Sequence, residues 1–185
     1  MVHTQRPSAT VQCHPRSIFG QLQPMQWNDL VINGTKKSMA HLQPFEMTFD
    51  VAGQALTVKF EFGFHCFTDD KGNGELLRHK HERRYFCASR YHCSTQLRDY
   101  IERRFYAGMV VPHGSKNSGQ RYFCLDLHEY AIFFSLSKPA DTTNYLRLHV
   151  VSAYEIDNWG RHSMPKGKAF NTRYVLQMRN EEKYI

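Results

Sequence analysis

Residues 55–67 read ALTVKFEFGFHCF, and within them Leu56, Val58, Phe60, Phe62, Phe64 and Cys66 alternate with Thr57, Lys59, Glu61, Gly63 and His65. A period of two sustained over that length fits a half-buried strand and not a helix, whose side chains repeat every 3.6 residues. The preceding run, FEMTFDV at 45–51, alternates in the same way, and Ala52-Gly53-Gln54 between the two runs reads as a turn. A β-hairpin over 45–67 is expected, with His65 projecting to the polar face beside Lys59 and Glu61.

The rest of the chain extends this pattern. An aromatic fraction of 14%, with 13 Phe and 10 Tyr, suits strands. Further strands are expected at 82–91 (ERRYFCASRY), 121–127 (RYFCLDL), 130–137 (YAIFFSLS), 145–154 (YLRLHVVSAY) and 172–178 (TRYVLQM). The run at 130–137 is apolar on both faces and should lie centrally. One helix is expected after Ser94 or Thr95, either of which can cap it. There Leu97, Tyr100, Ile101 and Phe105 recur at i, i+3, i+4 and i+8. Asn33-Gly34 is a turn signal, and 68–74, 112–119 and 158–169 are loops by composition. The expected fold class is α+β, a mostly antiparallel β-sheet with one or two packed helices. Residues 1–24, with Pro7, Pro15 and Pro24, read as a loosely ordered arm ahead of one domain spanning 25–185.

No apolar stretch follows the opening MVHTQRPSATVQCHPRS, and no window approaches a membrane span, so a cytoplasmic protein with no membrane partner is expected. Five cysteines, an odd number, include Cys66, Cys87 and Cys124 inside aromatic runs; buried thiols fit better than a disulfide framework. A net charge of +7 favours RNA or another polyanion as partner.

The chemistry-bearing residues cluster between His65 and Cys93, with His79, His81, Cys87 and His92 among arginines. Structural zinc usually takes close ligand pairs such as C-x2-C, and none is present, so no metal and no cofactor is expected. Cleavage of RNA without a metal needs a base for the 2′-hydroxyl, an acid for the leaving oxygen and cations for the phosphate. Histidine and arginine supply these at neutral pH. His65 and His81 are the candidate imidazoles. Arg78, Lys80, Arg83 and Arg84, in and beside LRHKHERR, are the candidate nucleic-acid contacts.

The run YAIFFSLSKPADTTNYLRLHVVSAYEID resembles the closing hairpin of the barnase–EndoU–colicin–RelE group of RNase toxins. That resemblance implies a strand whose hydroxyls touch substrate, here Ser152 and Tyr154 on one strand face, completed by His65, His81 and Arg90. FGFHCFT followed by RRYFCASRY also looks like a set of bacterial mobile-element and phage-associated proteins, some labelled as stress or stationary-phase proteins. It implies a toxin, defence or counter-defence setting. Two functions follow as expectations: a metal-independent endoribonuclease, or a non-enzymatic mobile-element protein that binds and blocks a host protein or nucleic acid. An antidote partner fits the first.

Overall fold

The computed structural model describes residues 26–114, 121–126, 130–156, 164–183 and 185. The expected N-terminal arm, Cys13 and parts of the loops at 112–119 and 158–169 lie outside the described residues.

The chain begins with a short hairpin, β1 (Leu30–Ile32) and β2 (Thr35–Lys37), turned by Asn33 and Gly34, both at positive φ. After a 3-10 turn at Ala40–Leu42 come β3 (Phe45–Val51) and β4 (Gln54–Phe62), paired in register from Phe45 opposite Phe60 to Val51 opposite Gln54. A second 3-10 turn, Phe64–Cys66, precedes a small antiparallel sheet of β5 (Thr68–Asp69), β6 (Leu76–His79) and β7 (Glu82–Phe86). Helix α1 (Ala88–Ser94) and helix α2 (Leu97–Tyr100), which widens into a π-helical turn at Ile101–Phe105, lead to β8 (Met109–Gly114), β9 (Arg121–Asp126), β10 (Tyr130–Ser137) and β11 (Tyr145–Glu155). The two-residue β12 (Phe170–Asn171) and helix α3 (Thr172–Asn180) follow.

The large sheet has the order β12-β8-β9-β10-β11-β4-β3, antiparallel everywhere except between β11 and β4. The fold is α+β and mostly antiparallel, as the alternation required. Strand β10 is the central strand, and Leu56, Val58, Phe60 and Phe62 of β4 are all buried on the core face. One apolar cluster joins that stripe to Leu97, Ile101 and Phe105 of the helical segment and to Val175 and Leu176 of α3.

Several sequence expectations change at the edges of elements. The second hairpin strand stops at Phe62, and Phe64 and Cys66 reach the core from a 3-10 turn instead. The strand expected over 82–91 ends at Phe86, because the chain turns into α1 at Cys87. Ser94 and Thr95 do not cap α2: Ser94 Oγ donates to Tyr91 O and Thr95 Oγ1 to His92 O, closing the preceding helix. The strand expected at 172–178 is helix α3. Asn171 Oδ1 accepts from Arg173 N at its start, and Thr172, Val175 and Leu176 recur on one buried face at helical spacing.

Candidate functional site beside the free end of β11

Strand β11 pairs with β4 only from Tyr145 opposite Thr57 to Val150 opposite Phe62. Beyond Val150, β11 keeps its β10 partner on one side, while the Phe64–Cys66 turn and α1 pack along the other. Gly63 makes that handover. Its amide donates to Val150 O at 2.7 Å, and a Cβ placed on it would lie 2.9 Å from both Val150 O and Val151 O. Only a glycine brings two backbones this close.

The register slips at the same place. Phe134 lies opposite Val150 but Phe133 lies opposite Ser152, so Val151 is an unopposed bulge residue. Residues three apart normally face opposite ways on a strand, yet the bulge turns His149 and Ser152 to the same side, away from the core. Tyr154 follows on that side, stacked on Phe133 with ring centroids 5.6 Å apart. Ser152 and Tyr154 therefore share one strand face, as expected.

Arg90, from α1, ties this group together. Its Nη1 donates to His65 O at 3.0 Å and to Ser152 Oγ at 3.4 Å, and its guanidinium lies 5.1 Å from the centre of the Tyr154 ring. Four residues chosen from the sequence, His65, Arg90, Ser152 and Tyr154, are thus neighbours. The His65 imidazole leaves this contact on its own side, where Nε2 donates to Glu82 Oε2 at 2.6 Å and Nδ1 has no partner among the described residues.

His149 is the residue that sequence reasoning missed. It is half-buried, and burial lowers its pKa; Lys80, Arg147 and His65 lower it further, against Glu61, which raises it. Its Nε2 would lie 3.1 Å from a Cβ placed on Gly63, two residues from His65. Burial would raise the Glu61 carboxyl, but hydrogen bonds and charges from Arg147 and Lys59 hold it below the usual range. Past Tyr154 a shelf of about 510 Å³ continues over Phe133, Tyr122 and His113.

His81 does not join them as a contact: it sits exposed at the tip of the β6–β7 hairpin, next to Glu82, without a partner among the described residues. The four basic residues of the hairpin also separate. Arg84 turns inward, its Nε donating to Thr68 Oγ1 at 3.2 Å. Lys80 stands at the tip with positive φ, near enough to His149 to weigh on its charge. Arg78 and Arg83 lie directly opposite one another on the outer face of the hairpin, away from the Glu82–His65 contact, and neither has a partner among the described residues. Cys66 and Cys124 are buried, with thiols pushed up to about 12 by burial, while Cys87 is only partly covered; none of the described cysteines forms a disulfide. Among the described residues no group of three His, Cys, Asp or Glu could hold a metal ion, and no helix is long and apolar enough to cross a membrane.

No curated protein and no solved structure matches the chain. A family model does: it spans residues 29–179, from just before β1 almost to the end of α3, and so takes in all three sheets, α1 and every residue of the site. By that match the chain belongs to the YjaZ family.

Proposed function

We propose that the chain cleaves single-stranded RNA without a metal, at the bulge of β11. The observation that carries the reading is that two histidines meet at the Gly63 handover, His149 with its Nε2 against that glycine and His65 two residues further on, next to the Arg90–Ser152–Tyr154 group. His149, kept neutral by burial, takes the 2′-hydroxyl proton. The 2′-oxygen attacks phosphorus, the bond to the 5′-oxygen breaks, and His65, oriented by Glu82, returns a proton to the leaving oxygen. The products are a 2′,3′-cyclic phosphate and a 5′-hydroxyl. Lys80 and Arg147 offset the charge on phosphate, and the Phe133–Tyr154 stack offers a base its π-face. His149 takes the second imidazole role for which the sequence suggested His81.

The test is cleavage of a labelled single-stranded RNA in EDTA. His149→Ala and His65→Ala should each lower the rate by about 10²-fold or more, while His81→Ala should change it less than about 3-fold. Full activity in both of the first two variants removes the proposal.

A second reading, a nucleic-acid-binding protein without turnover, has its own support in the Arg78–Arg83 pair. Like charges directly opposite in a ladder are unfavourable, and a bound polyanion relieves them. Charge reversal at both positions should abolish RNA retention on a filter, with no cleavage in the unaltered protein. Cleavage products in EDTA would end this reading.

A further inference from the structure

A cavity of about 580 Å³ opens between α1, α2 and the far end of β11, and the cleavage proposed above does not use its floor. Tyr130 and Tyr100 stack there at 5.2 Å between ring centroids. Tyr130 is 3% exposed, and its hydroxyl is buried with no hydrogen-bond partner among the described residues. Folded proteins rarely leave a buried hydroxyl unpaired, and an orphan at the floor of a cavity points to a ligand that completes it. The phenol is held protonated: burial pushes its pKa well above the usual tyrosine range, and Cys66, Cys93, Tyr100 and Glu155 push the same way.

The walls divide by charge. Glu155 lies against the Cys93 thiol and close to Tyr130, which gives that end a negative charge among aromatic rings. Arg90 and Lys71 line the same cavity beside Asp69, whose carboxylate they help hold low, and neither is among the groups that weigh on Tyr130. The Asp69 carboxylate is already occupied, since Oδ1 accepts from Lys71 N at 3.0 Å and the Cys87 thiol lies against it. What remains for a guest is one acceptor end and one donor end.

We propose that this cavity binds a free α-amino acid, its ammonium held by Glu155 and Tyr130 and its carboxylate by Arg90 and Lys71. A simple anion would meet Glu155, and a simple amine would meet Arg90 and Lys71. A zwitterion is matched at both ends, and its ammonium donates to the Tyr130 oxygen, which has no other partner among the described residues.

Calorimetric titration of the full chain with each of the twenty protein amino acids tests this. At least one should bind with a Kd below about 1 mM, and the matching amine and deaminated acid should each bind about tenfold or more weakly. Glu155→Gln should weaken the amino acid by about tenfold or more, because it removes a charge-assisted bond. Tyr130→Phe should weaken it by about 3-fold or more while leaving the unliganded Tm unchanged or higher, since that hydroxyl has no partner to lose among the described residues. The proposal falls if no amino acid binds at millimolar concentration, or if either half-ligand binds as tightly as the whole. RNA cleavage is measured without added amino acid, so the two proposals fail separately.

Discussion

The two halves of β11 are built from similar residues and do different things. From Tyr145 to Val150 the strand has a partner on each side; Leu146, Leu148 and Val150 are buried, and Arg147 and His149 face the other way. From Val151 to Glu155 the β4 partner is gone, a bulge resets the faces, and a turn and a helix bring His65, Arg90 and Cys93 alongside. Where both ladders continue, the backbone satisfies itself and the side chains need only fill the core. Where one ladder stops, side chains from distant segments take over the edge of the strand, and both candidate sites adjoin that boundary.

The contrast predicts that the first half carries stability and the second tolerates change. Phe60, opposite Leu148 and Phe45, is fully buried, stacks on Phe45 at 4.9 Å and meets the edge of Phe105 at 5.3 Å. Phe60→Ala should cost about 3–5 kcal/mol in urea unfolding. Gly63→Ala, at the boundary, sets a methyl against two carbonyl oxygens of the backbone. It should cost about 1–3 kcal/mol, since β11 or the turn must move. A loss within about 0.5 kcal/mol, as at ordinary surface sites, would show that the boundary is loose and weaken the comparison.

In the second half, Arg90→Met keeps the stem of the side chain over Tyr154 but removes the donors to His65 O and Ser152 Oγ. Stability should fall by only about 1–2 kcal/mol, because the contacts are partly solvated. RNA cleavage should fall by more than that loss of fold explains, measured well below the variant's Tm. Equal cost for Arg90→Met and Phe60→Ala would erase the distinction between the halves.

How far the sequence disclosed this follows the same boundary. The regular half was legible: alternation placed Leu56 to Phe62 in the core, and the doubly apolar run at 130–137 proved central. Arg90, Ser152 and Tyr154, expected from the sequence as companions of His65, are its neighbours. Alternation alone sets His149 on the face opposite Ser152, and only the bulge at Val151 reverses that. The run ERRYFCASRY is aromatic at Tyr85, Phe86 and Tyr91, but Tyr91 belongs to α1, so the expected strand is too long by the helix. The strand expected at 172–178 gives way to a helix because the Asn171 cap and helical spacing prevail. Local periodicity marks where pairing is regular and is silent about bulges and handovers.

The smallest expected effect is a pH dependence set at that bulge. Burial lowers the pKa of His149 from 6.5, so the unfolded chain takes up its proton first as the pH falls. Its share of stability is complete above pH 6.5 and is lost as the pH drops toward the lowered value. Glu61 opposes the shift, while Lys80, Arg147 and His65 reinforce it. His41, half-buried and bonded to Ser94 Oγ at 2.8 Å, is lowered by burial in the same direction and contributes a second share. Urea unfolding from pH 7.5 down to pH 5 should therefore show falling stability in the unaltered protein and a shallower fall in His149→Gln. Steady-state cleavage in the unaltered protein should lose rate on the acid side over the same interval, because a protonated His149 cannot accept the 2′-hydroxyl proton. Superimposable stability curves for the two proteins would mean that His149 is as solvated as any surface histidine, and the bulge would then have no special hold on it.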